Sequence, residues 1–142
     1  MNITLKNNEL MAAITFLEGM PLSAKDSRHR TKLVKRLKEA AEELFEEEKA
    51  LMEKFNFLTE ASQLKATAEL DPTDIAAFNA EQAVLMEEEV VIEYGMYAKN
   101  IAEIPRILES YDEVISGKDA EIYDRLLDEF ENAACDGVEG LA

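Results

Sequence analysis

Tryptophan is absent from this chain of 142 residues, and cysteine and histidine occur once each, as Cys135 and His29. A lone cysteine excludes a disulfide framework within the chain and suits a reducing compartment. A lone histidine cannot supply the paired Glu-x-x-His motifs of a carboxylate di-metal centre. Five glycines leave little material for a phosphate-cradling loop. No run approaches the ~20 apolar residues of a membrane span. The opening MNITLKNNEL lacks the charged-then-apolar order of a secretory signal. The expectation is a soluble cytoplasmic protein with no membrane partner.

What is present is globular composition, 47% hydrophobic and 32% charged, enough for one domain over 1–142 with its own core. The charge is strongly uneven. Residues 1–38 carry eight Lys/Arg against three Asp/Glu, a net +5; the remaining 104 carry seven against 28, a net −21; together they give the chain's −16. The acidic bulk opposes non-specific nucleic-acid binding. The asymmetry points to charged partners without naming one.

Periodicity predicts a strand at 2–6, where Ile3 and Leu5 alternate with polar residues. Asn7 or Asn8 can then cap a helix carrying Leu10, Ala13, Ile14 and Leu17, ended by Gly19 and Pro21. Ser27 is the expected N-cap of a long second helix over 28–57, with Leu33, Leu37, Ala40, Leu44, Leu51 and Phe55 on its apolar stripe. Alternation of Leu64, Ala66, Ala68 and Leu70 predicts a second strand at 63–69. Thr73 or Asp74 caps a third helix over 74–87, and Val90-Val91-Ile92 marks a strand at 89–94. Helices over 97–113 and 119–133 follow, with Pro105 kinking the first or sitting in its first turn. The tail 135–142 is expected to be loose.

The fold class expected is therefore α+β and mainly helical: about five helices with a small two- or three-stranded sheet. An all-helical bundle is the alternative. At about 45 Å, the second helix is long for a domain whose radius of gyration is only ~14–15 Å. It should project, bend, or meet a partner chain, which makes a homodimer through this helix an expectation to test.

Four landmarks occur in order: NITLKNNEL, SRHRTKLVKRL, EEEVVIEYGMY and YDEVISGKDAEIYDRLLDEFE. With them the chain resembles a family of small proteins of unknown function from temperate tailed phages and prophages of Gram-positive bacteria. The resemblance covers most of the chain and is weakest over 58–80. It implies phage origin and a bacterial host cytoplasm; it implies no activity and no catalytic residue.

The candidate binding residues begin with the basic start of the second helix: Arg28, Arg30, Lys32, Lys35 and Arg36. On a helical wheel Arg28, Lys32, Lys35 and Arg36 share about one quadrant, away from Leu33 and Leu37. Cations at a helix N-terminus oppose the macrodipole, so local stability does not account for them. They either meet an anionic partner or pair with the chain's own carboxylates. Tyr94 and Tyr97 beside Gly95 are candidate interface anchors, with core packing as the plainer role. The acidic surface either imitates nucleic acid or simply confers solubility. The glutamates at 87–89 and 93, with Asp112 and Glu113, form no recognised metal motif. Cys135 sits among acids that raise a thiol pKa, and no Ser-His-Asp set is evident. No enzyme, cofactor or metal is expected. The expected function is a phage accessory protein that binds a host or phage protein, in host take-over or counter-defence. The alternatives are a nucleic-acid binder using the basic helix start and a virion assembly component.

Overall fold

The alternation of Ile3 and Leu5 with polar residues does form a strand. In the computed structural model β1 (Asn2–Lys6) pairs antiparallel with β2 (Glu89–Glu93), Asn2 opposite Glu93 and Lys6 opposite Glu89. The structure describes every residue but Ser62 and Ala142, with Thr67 and 135–141 in backbone alone; the expected loose tail, 135–142, lies outside the fully described residues. Ile3, Leu5 and Ile92 are buried on one face of the sheet. The mainly helical α+β class holds, and the paired strands exclude an all-helical bundle.

The predicted strand at 63–69 is absent. Its segment makes one isolated bridge, Leu58 to Leu64, and a 3-10 turn at Thr67–Glu69. Its alternating positions include the small Ala66 and Ala68, and Leu64 is exposed, so little apolar area would reward pairing.

β1 runs directly into α1 (Asn7–Glu18). Asn7, expected as a cap, lies inside the helix and joins it to the segment just before β2. Its Nδ2 donates to Leu85 O and its N–H to Glu88 O, both at 2.9 Å. The second helix, α2 (Ala24–Lys54), starts before the predicted 28, because Ser23 and not Ser27 caps it: Ser23 Oγ accepts the Asp26 N–H. It stops before the predicted 57. Asn56 takes φ 61° there, Phe57 N–H donates to Met52 O and Asn56 N–H to Glu53 O, the double bond of a Schellman ending.

The 31 residues of α2 span about 46 Å, yet its far end does not stand alone. Residues 58–71 turn back and α3 (Pro72–Glu87) covers it, capped by Asp71 and not by Thr73 or Asp74: Asp71 Oδ1 accepts the Thr73 N–H at 2.8 Å. Phe78 meets Phe57 with ring centroids 4.5 Å apart and Phe55 edge-on at 6.4 Å. The chain thus supplies its own cover for the helix.

After β2, Gly95 turns the chain at φ 56° into a 3-10 turn (Gly95–Tyr97). The single helix predicted over 97–113 is two: α4 (Ala98–Ile101) and α5 (Ile104–Ser110). Pro105 sits in the first turn of α5, where a missing N–H costs nothing. Gly117, at φ 57°, opens α6 (Gly117–Leu141), which starts earlier than expected. Leu5, Leu17, Leu33, Leu37, Leu108 and Leu126 join these elements in one core, each contributing about 1.5–3 kcal/mol of burial.

α6 also seals one edge of the sheet. Tyr94 N–H donates to Met1 O and Asn7 N–H to Glu88 O, so the bonded pairs of the ladder fall at Ile3/Ile92 and Leu5/Val90. Thr4 and Lys6 therefore turn their backbone groups outward. Glu129 Oε1 accepts the Thr4 N–H at 2.9 Å, Arg125 Nη2 donates to Thr4 O at 3.0 Å, and Glu9 Oε1 accepts the Lys6 N–H at 2.8 Å.

Candidate functional site

The basic residues of α2 do not act as one set. Arg30 turns back onto α1. Its Nη1 donates to Leu17 O and, at 3.1 Å, to Met20 O, while Nη2 donates to Ser27 Oγ at 2.8 Å. It satisfies carbonyls at the end of α1, and its expected place on a binding surface is corrected to a structural one. The wheel already separates it: Arg30 lies about 200° from Arg28, near Leu37.

Lys32, Lys35 and Arg36 instead converge on Tyr97. The Lys32 and Lys35 ammonium nitrogens lie 4.9 Å and 5.4 Å from the ring centroid, and the Arg36 guanidinium carbon 5.1 Å. Lys35 Nζ also donates to the Tyr97 hydroxyl at 3.0 Å. That bond, followed by the fields of Lys32 and Arg36, holds the Tyr97 hydroxyl below its ordinary value of 10.0, and Lys35 is raised in return. The face of the half-buried ring attracts each cation, while the three cations repel one another.

Arg36 pairs with Glu39 at 3.0 Å, but among the described residues no carboxylate pairs with Lys32 or Lys35. Two other cations near the helix start are paired: Lys38 meets Glu18 at 2.7 Å, and Arg106 meets Asp26 at 2.9 Å. Arg106 pulls the Asp26 carboxyl below its usual value. Arg28 is exposed at the edge of the patch. Gly95 is required by its φ of 56°; a Cβ there would also lie 2.5 Å from Arg36 Nη2, so the guanidinium would have to shift. Arg36 Nε is buried without an acceptor among the described residues, a cost of about 1–3 kcal/mol.

Tyr94, expected beside Tyr97 on the surface, is 3% exposed and packs against Phe130. That expectation is corrected: Tyr94 is a core residue, and burial pushes its hydroxyl up to about 12. Met96, between the two tyrosines, is 82% exposed and adds an apolar contact beside the cations. His29 Nδ1 lies 3.2 Å from Asn100 Nδ2, which ties α2 to α4. Among the described residues no group of His, Cys, Asp or Glu is placed to hold a metal ion. No helix among the described residues is long and apolar enough to cross a membrane.

Comparison with family models, with curated proteins and with solved structures finds no match to this chain. The site's own chemistry therefore carries the reading of its function.

Proposed function

We propose that this chain is a non-enzymatic protein-binding module, and that Lys32, Lys35 and Tyr97, with Arg28, Arg36 and Met96 around them, form the surface that meets an anionic segment of its partner. One observation carries this: in a chain of net charge −16, two lysines lie over one tyrosine ring and neither forms an ion pair with a carboxylate among the described residues. A partner's carboxylates would relieve that local repulsion, and complementary charge would set partner choice and association rate more than affinity. The motif resemblance supports a phage accessory role for such a module, in host take-over or counter-defence.

The test is the Lys32→Glu/Lys35→Glu variant, which spares the packed Arg30 and Arg36. Immobilised protein should capture a distinct protein from a lysate of infected host cells. The variant should lose it with unchanged melting. Capture of the same protein by both forms would refute the surface. Retention of DNA or RNA with steep salt dependence would favour a nucleic-acid partner instead.

A further inference from the structure

The sheet has two strands and so two edges, and the fold treats them unequally. Glu129 and Arg125 of α6 occupy the outward groups of Thr4, and Glu9 of α1 the N–H of Lys6. The outward groups of β2 belong to Glu89, Val91 and Glu93, the positions that the ladder leaves unbonded. Among the described residues, none of these N–H or C=O groups has a partner. Such an edge is a template for another strand.

This edge also lies along a groove. A cavity of about 370 Å³ runs beside the whole of β2, with Ala40 and Leu44 of α2 beside it and Glu39, Glu43 and Glu47 along the helix rim. Residues 39, 43 and 47 follow one another at i, i+4 spacing, so they stand in a row. Glu89 and Glu93 flank the exposed Val91 on the strand itself. We infer that the open edge of β2 receives an extended, Lys/Arg-bearing segment of a partner protein, which adds to the sheet as a third strand beside α2. Backbone hydrogen bonds to residues 89, 91 and 93 would hold it. Successive side chains of an added strand point to opposite faces. One set therefore reaches the α2 glutamates and the other Glu89 and Glu93.

Charge also decides against a second copy as the occupant. Antiparallel pairing of β2 with itself across a two-fold axis would set Glu89 opposite Glu93 of the other copy, and like charges directly opposite are destabilising. This surface adjoins the cation cluster at Arg36, which lines both, and is otherwise opposite to it in sign.

The probe is an N-acetylated heptapeptide alternating lysine and valine, with a glutamate–valine peptide as control, followed by NMR and hydrogen exchange on the full chain. The lysine peptide should perturb the Glu89, Val91 and Glu93 amides and slow their exchange; the glutamate peptide should not. Two further peptides, N-methylated on all valines or on all lysines, separate strand addition from adhesion. Only alternate amides face the edge, so one isomer should bind at least tenfold more weakly and the other should not. Val91→Pro should also lose at least tenfold, because its outward N–H takes no part in the ladder and can be removed. The Lys32→Glu/Lys35→Glu variant should bind the lysine peptide undiminished, which keeps this test separate from that of the Tyr97 surface. Equal binding of both methylated isomers, or of the glutamate peptide, would overturn the inference. So would self-association of the free chain that protects the same three amides. If Val91→Pro does not fold, the methylated pair decides.

Discussion

Arg125 is the residue on which the sealed edge depends, and removing its guanidinium has a calculable cost. It donates to Glu9 Oε2 at 3.0 Å, to Glu129 Oε2 at 2.8 Å and to Thr4 O at 3.0 Å, which joins α6, α1 and β1. Hydrogen bonds to charged groups contribute about 1.5–3 kcal/mol each when well buried. Here the arginine side chain is 33% exposed, with Glu9 at 20% and Glu129 at 16%, and solvent screening reduces each contribution. Arg125→Met keeps most of the apolar stem and should cost about 2–3 kcal/mol in all. For a chain of this length that lowers Tm by roughly 8–12 °C. Arg125→Lys should recover only part of the loss, since a point charge cannot meet three acceptors in a fixed fork. Thermal and urea unfolding followed by circular dichroism measure both. A loss under about 0.5 kcal/mol for Arg125→Met would place the pair among inert surface bridges and refute the claim that α6 seals β1.

Two further outcomes follow from the site. In an alkaline titration read from phenolate absorbance, Tyr97 should ionise first, below 10.0, and Tyr94 last, near 12, with Lys35→Met raising Tyr97 alone. Tyr94 has a folded value above its unfolded one, so its contribution is full below pH 10 and is lost as pH rises toward 12; Tyr94 and Tyr97 titrating together would contradict the burial and the cation cluster. Arg30→Met should cost about 1–2 kcal/mol in urea unfolding, from the lost bonds to the Leu17 and Met20 carbonyls, of which Leu17 O keeps the Met20 N–H. It should leave partner capture intact, and lost capture with unchanged stability would return Arg30 to the binding surface.

Much of the fold is legible in local pattern because local physics decides it. Alternation around Ile3 and Val90–Ile92 is enough for both strands, and Asn56 in KFNFL is a readable stop, since asparagine accepts positive φ. Tyr94 was legible too: it shares the period-two parity of Val90 and Ile92 and therefore points inward, whereas Tyr97 lies beyond the Gly95 turn. The helix start was harder. Ser23 and Ser27 are equally good caps by type, and the choice depends on where Pro21 and Leu22 deliver the chain. The sealing of β1 by Arg125 and Glu129 was not legible at all. Those residues stand over a hundred positions from Thr4, and only tertiary packing brings them together.

The charge order along α2 has no origin in helix stability. Taken on one face, the helix reads Lys32, Lys35 and Arg36, then Glu39, Glu43 and Glu47. The macrodipole does not explain it, because both blocks lie more than a turn from either end of the helix, where its effect has fallen off, and the end turns themselves carry Asp26 and Lys54, the signs it favours. Nor does pairing along the helix explain it, because the two blocks meet in a single bridge at their junction, Arg36 with Glu39. What the order does achieve is positional. The cationic block lies where the Gly95 turn brings Tyr97 against the helix, and the anionic block lies beside the open edge of β2. Arg36 lines the groove and also touches the Tyr97 ring, so one side chain marks the boundary between two surfaces of opposite sign. Helix stability does not account for an order that separates these surfaces along one helix, and the two binding tests proposed above decide whether recognition does.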